Sequence, residues 1–274
     1  MLRARLREHI RTLGLIGLTD EDIDANLAWA TAEAPSYLAF SERFLAGAAA
    51  RKRERSVKRR IDQSGLRHHK TLEAFDWAFQ PRLDRRVIEE IATLGFLDRI
   101  EDILFTGKTG TGKSHILQAI ALRACQADFT VRYARCVDLI DDLYAGLADG
   151  TYPRRLDRWC RPRLLVIDDV GLGQLKRTDD EPTAAHLLFN LVDRRHELTS
   201  TAVSSNLKLS AWGQYLGDSM MAAAILDRLA EHSIRVDIDG PSYRQHRAHQ
   251  RSAGARPATR SATEPTHRSK EPKP

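Results

Sequence analysis

Apolar positions along the chain follow two regimes. Over the first fifty residues they recur at helical spacing: Leu2, Leu6, Ile10 and Leu13 step by four, four and three, which sets them on one face of a helix. Thr19 ahead of Glu21 and Asp22 marks a helix start, and apolar residues continue at helical spacing from Asp22 to Ala34. No Gly or Pro interrupts the stretch from Arg51 until Gly65, so a helix can run through it. The spacing predicts a small helical N-terminal domain over residues 1–66.

From about Asp102 the pattern changes to short apolar runs that alternate with amphipathic segments. The runs at 103–106, 131–134, 164–168, 201–205 and 233–238 read as strands, and Lys113–Gln126, Val137–Leu147, Thr183–Glu197 and Ser219–Glu231 read as helices between them. Five strands with intervening helices predict a doubly wound, three-layer α/β domain around a parallel sheet, over residues 67–245. After Gly240 the chain is rich in Pro, Ser, Thr, His and Arg and poor in large apolar residues, so residues 246–274 are expected to be a disordered basic tail.

Composition narrows the class. The chain has 274 residues, 42% hydrophobic and 29% charged, enough for one full α/β core and an accessory segment. No apolar run approaches the roughly 18 residues a bilayer demands, and MLRARLREHIRTL carries charges where a signal peptide needs its apolar stretch. A soluble, cytoplasmic protein with no membrane partner is expected. Cys125, Cys136 and Cys160 are far apart and form no C-x-x-C pair, which argues against a disulfide framework or a zinc site. His68 and His69 lack further ligands at metal spacing. Charge is unevenly placed: residues 51–70 carry a net +7 and residues 241–274 a net +6 in a chain whose total is +6, so the body between is acidic. Two basic appendages on an acidic body fit either a polyanionic partner or a pair of solvated runs.

The chemistry centres on GKTGTGKSH, residues 107–115. Gly107, Lys108, Thr109, Gly110, Thr111, Gly112, Lys113 and Ser114 fit G-x-x-x-x-G-K-[ST], with a strand before and a helix after, and His115 follows. Glycines let backbone N–H groups turn inward around phosphate oxygens, and the next helix adds its positive end. Lys113 would reach the β- and γ-phosphates of ATP, and the Ser114 hydroxyl would ligate Mg²⁺. Downstream, LLVIDDVG (164–171) is an apolar strand ending in two carboxylates. Asp168 is the expected Mg²⁺ partner, and Asp169 could orient or deprotonate the attacking water. Asn206, at the end of the strand TAVSS, is the candidate γ-phosphate sensor, against its reading as a simple turn residue.

GKTGTGKSH, LLVIDDVG, SSNLKLSAWG and AAAILDRLAEHSIRVDIDGPSYR, in this order, resemble the IstB-like ATPases, the transposition helpers of bacterial insertion sequences, in the DnaC/DnaA branch of AAA+ proteins. The likeness covers roughly residues 60–245. It implies an AAA+ fold without a C-terminal lid domain, an active oligomer, and a role for Arg228, in Leu-Asp-Arg-Leu, as the arginine inserted into a neighbouring subunit's ATP site. It implies that Phe75 and Phe79 lie near the adenine, although an aromatic pair also serves plain packing. Asp169 stands where many AAA+ proteins have Glu, which implies slow hydrolysis, and Arg244 could replace the sensor arginine of the lid.

In the light of that resemblance the basic stretch gains a role. On a helix, Lys52, Arg55 and Arg59, with Lys58 and Arg60 nearby, would form a cationic stripe for successive phosphates of duplex DNA. No major-groove reader is evident, so binding is expected to be largely independent of sequence. The expected partners are duplex DNA, further copies of the chain and a transposase. The same motifs also fit a DnaC-like loader of a replicative helicase. A DNA scaffold that binds ATP without turnover, and a small-molecule kinase, are the other classes a phosphate loop allows.

Overall fold

Alternation within the strands decides which layer each side chain joins. The computed structural model describes residues 1–15, 18–175 and 182–254. Helices α1 (Leu2–Thr12), α2 (Asp20–Glu33) and α3 (Tyr37–Ser64) come first, then α4 (Arg85–Ala92) and α5 (Gly95–Asp98). They are followed by β1 (Asp102–Gly107), α6 (Lys113–Gln126), β2 (Val131–Arg135), α7 (Cys136–Ala148), α8 (Tyr152–Cys160) and β3 (Leu164–Val170). The order closes with α9 (Ala184–Arg195), β4 (Ser200–Ser205), α10 (Trp212–Leu216), α11 (Ser219–Glu231), β5 (Ser233–Ile238) and α12 (Tyr243–Gly254).

The strands form one parallel sheet in the order β2-β3-β4-β1-β5. Leu164 and Val166 of β3, with Ile103 and Phe105 of β1, face one apolar layer completed by Ile88, Phe96, Leu117 and Ile120. Leu165 and Ile167, with Leu104, face the other, completed by Leu139, Leu143, Leu188, Trp212 and Ile225. A period of two along each strand thus feeds both faces, as a parallel sheet covered on two sides requires. The five strands and four helices read from the pattern are present, each within two residues of its expected bounds.

The N-terminal helices are held more lightly. Thr19 and Asp22 form a reciprocal capping box that starts α2, and Ser36 caps α3. Among the described residues, their apolar cluster has Ile10, Leu18, Ile23 and Ala48 as its buried members. Of the stripe expected on α1, Ile10 is buried, while Leu2 and Leu13 remain 86% and 69% exposed. Helix α3 bridges the two regimes, because Ile61 near its end packs into the core of the sheet domain. It stops at Gly65, whose φ of +82° is left-handed; a Cβ there would come within 2.7 Å of the Tyr133 carbonyl oxygen.

Two stretches differ from the pattern reading. The segment after α7 holds a further helix, α8, which has Pro153 in its first turn and buries Leu156 and Trp159, too few apolar positions to declare a period. The tail expected to be disordered from residue 246 is helical through Gly254, because α12 crosses that boundary. Its docking rests on tertiary contacts that composition does not count: the Tyr243 N–H donates to the Gly110 carbonyl at 2.9 Å, and the Tyr243 ring meets Phe79 edge-on at 5.1 Å. The rest of the expected tail, 255–274, lies outside the described residues. No described helix is long and apolar enough to cross a membrane.

Candidate functional site

Strand β1 ends at Gly107 and α6 begins at Lys113, so the intervening loop must reverse direction within a few residues. Gly112 does this at φ +108°, where a Cβ would meet the Phe75 ring at 2.6 Å. Only glycine suits both the angle and the space. Lys113 is 5% exposed, and its ammonium donates to the carbonyls of Gly107 at 2.6 Å and Lys108 at 2.8 Å. Burial holds its pKa below the usual lysine range. Thr111 braces the loop by donating to the Lys108 carbonyl. His115 donates through Nε2 to the Thr71 carbonyl at 2.8 Å, with its ring edge-on to Phe75.

Asp168 ends the buried run of β3 at 2% exposure. Its Oδ1 accepts from the Ser114 hydroxyl at 3.0 Å, from the Asp169 N–H at 3.0 Å and from the Ser204 hydroxyl. Its Oδ2 accepts from the Tyr133 hydroxyl, which itself accepts from Gln118 at 3.1 Å. Burial, then the Asp168 charge, push the Tyr133 pKa up, so its hydroxyl stays a donor at neutral pH. A hydroxyl and a carboxylate at hydrogen-bond distance beside a phosphate loop are the hard oxygen ligands that Mg²⁺ prefers. The donor set therefore fits that ion.

Asp169 takes a left-handed φ of +59°. Its N–H is fixed by Ser204 at 2.9 Å, and its side chain turns into a cavity of about 670 Å³ that also contains Lys113, Ser114, Phe79, Tyr243 and Arg244. Burial, followed by the Asp168 charge, raises the Asp169 pKa, against the pull of Arg244 and Lys113. The loop residues Thr109 to His115 line the same cavity, together with Phe75 and, from α12, Arg247.

The structure therefore brings Lys113, Ser114, Asp168 and Asp169 together, with Gly107 and Lys108 supplying carbonyls to the lysine. It does not bring Asn206 or Arg228 to the cavity lining. Asn206 follows β4 behind Gly171; its N–H donates to the Val170 carbonyl, and its Oδ1 is buried with no partner among the described residues. Arg228 lies on α11 and pairs with Asp193 at 3.2 Å and Asp227 at 3.5 Å. Phe75 and Phe79 are not stacked on each other: Phe75 packs under the loop and Phe79 meets α12. Sequence reading did not find Tyr133, Gln118 or Arg247. The only signal for Tyr133 was a polar-tipped aromatic in an edge strand that pairs in register with β3.

On α3, Lys52, Arg55, Lys58 and Arg59 are exposed. Arg60, also expected near the stripe, forms an ion pair with Asp128 at 2.7 Å. It is turned toward the side of the helix where Ile61 and Ser64 meet the sheet domain, so it serves the junction. Arg51, on the other flank, pairs with Asp22 of α2 at 2.6 Å.

Known proteins share both sequence and fold. The chain is 34% identical over 243 residues to the ATP-binding protein of insertion sequence IS5376 from Geobacillus stearothermophilus, covering 89% of this chain and 94% of that one. It is 36% identical over 191 residues to the corresponding protein of IS21 from Pseudomonas aeruginosa, covering 70% of each. Among solved structures, AMPPCP-bound DnaA from Aquifex aeolicus superposes with a TM-score of 0.53 at 21% identity, over 72% of this chain and 58% of that one. The chain thus spans a little over half of that DnaA structure, and the likeness shows that the two share an α/β P-loop fold. Residues 9–252 match the family described as IstB-like ATP binding protein, and the chain belongs to that family.

Proposed function

We propose that the chain is an ATPase that binds ATP with Mg²⁺, assembles into an oligomer on duplex DNA and assists a transposase. The observation that carries this reading is the convergence of Lys113, Ser114 and Asp169 on one cavity beside the phosphate loop, with Asp168 hydrogen-bonded to Ser114 at 3.0 Å. Lys113 and the loop N–H groups hold the phosphates, and Ser114 and Asp168 hold the ion, which when bound neutralises charge on the phosphate oxygens. Asp169 accepts a proton from the water that attacks the γ-phosphorus, and the bond to the bridging oxygen breaks to release ADP and phosphate. A carboxyl raised by burial is a better base for this step than an ordinary aspartate, though its short arm keeps turnover slow.

Arg228 acts in trans in this reading. It sits on the surface, outside its own cavity, and would exchange Asp193 and Asp227 for phosphate oxygens of a neighbouring copy. Asn206 turns its amide toward the attacking water once nucleotide and neighbour are in place. Lys52, Arg55, Lys58 and Arg59 neutralise DNA phosphates without reading bases. The insertion-sequence names of the relatives favour a transposase over the replicative helicase that the same motifs allow. Phosphate release, measured with and without duplex DNA, tests the reading alongside imaging of the particles formed with ATP. Turnover by DNA-bound oligomers is expected; a monomer on duplex, with no turnover under any condition, overturns it.

A further inference from the structure

A second large cavity, about 780 Å³, opens at the far end of the sheet from the phosphate loop. The loop follows the C-terminal end of β1, whereas this groove is built on Val131 and Arg132 at the start of β2 and on Pro162 ahead of β3. Its wall is α8, which contributes Arg154 and Arg158, with Arg161 at the cap that ends the helix, at positions i, i+4 and i+7.

The wall is firmly built. Arg195, 1% exposed, donates to the carbonyls of Trp159, Cys160 and Pro162 and so pins the end of α8 to the sheet. Asp142, behind the wall, accepts from Arg155, Arg158 and the Trp159 indole, and Asp157, in the lining itself, pairs with Arg161 at 2.5 Å. Among the described residues, no ion pair engages Arg154 or Arg132. Arg132 is part-buried with its guanidinium over the Trp159 ring at 5.5 Å. Burial and the like charge of Arg158 hold its pKa below the usual guanidinium range. Guanidinium groups that outnumber the carboxylates Asp142 and Asp157 suit an anion that offers several oxygens, and phosphate matches their forked geometry.

Another wall residue, Gln63, belongs to α3. It lies one turn beyond Arg59 and only about 40° around the helix from it. The face that carries Lys52, Arg55 and Arg59 therefore leads into the groove, over roughly 16 Å from Lys52 to Gln63. Duplex DNA presents a charge about every 1.7 Å of axis, so one run of backbone can engage both.

We infer that the arginine groove between α8, the start of β2 and the end of α3 is a second seat for the phosphate backbone of duplex DNA, continuous with the cationic face of α3. This rests on the reading of the chain as a duplex-binding protein. The test uses the full chain and a labelled duplex, with affinity measured across a salt series. Arg154→Gln with Arg161→Gln should lower the salt slope by about 1.8, the share of two phosphates, and Arg132→Gln should lower it by roughly 0.9 more. Unchanged nucleotide binding by these variants confirms that they fold. A slope unaltered by them, while Lys52→Ala with Arg55→Ala and Arg59→Ala flattens it, overturns the groove and leaves the DNA reading standing. If the intact chain shows no salt-dependent binding to duplex, both fall. A photoreactive side chain at position 154 should crosslink to the duplex; adducts with single-stranded DNA alone would also overturn the inference.

Discussion

The phosphate site and the basic helix α3 hold their charges in opposite ways. Asp168 is buried and accepts hydrogen bonds from Ser114, Ser204, Tyr133 and the Asp169 N–H. Its position is fixed before any ligand arrives. Lys52, Arg55, Lys58 and Arg59 stand in solvent on a helix whose neighbours α1 and α2 share a cluster of four buried residues. The first arrangement buys geometry and the second reach: buried charges discriminate by position, while exposed ones sum over many weak, screened contacts.

The sharpest way to break the contrast is Lys113→Ala. Loss of a buried charged partner should weaken nucleotide binding by roughly 2–5 kcal/mol, while duplex affinity without nucleotide stays as it was. Calorimetric titration with ATP measures the first and a gel shift the second; equal losses in both would erase the distinction. Next comes the triple Lys52→Ala, Arg55→Ala and Arg59→Ala, which should flatten the salt slope of duplex binding by about 2.7 and leave nucleotide affinity unchanged.

Tyr133→Phe sharpens the buried side of the comparison. It removes one donor to Asp168 and keeps the ring, so the Mg²⁺ concentration for half-maximal turnover should rise about tenfold; an unchanged requirement would mean that the hydroxyl does not orient the carboxylate. The smallest effect is in pH. Asp169 must be unprotonated to act as a base, and burial raises its pKa, so turnover should fall on the acid side through a limb above the usual carboxylate value of about 3.9. A limb at or below that value would remove Asp169 from the role.

Local chemistry explains what could be read in advance. The strands were legible because both faces of a parallel sheet are covered, which leaves unbroken apolar runs such as LLVI. The phosphate loop was legible because glycine spacing is set by backbone angles rather than by neighbours. Tyr133 was not, since its role depends on β2 lying beside β3, a long-range pairing. The partner of Arg60 was hidden for a related reason: periodicity gives its angle on α3, but not that Asp128 waits on that side. Helix α12 escaped because the Tyr243 and His246 rings against Phe79 and one backbone bond dock it, and none of these registers as hydrophobic content.

Residue 133 sits between the two systems. Its backbone oxygen lies so close to Gly65 that even a methyl group there would collide, and its phenol grips the carboxylate expected to hold magnesium. The end of the long basic helix therefore cannot slide toward the sheet without pressing on the strand that aims this phenol. A push along the cationic flank of α3 would have a lever arm of one amino acid to the Asp168 end of β3.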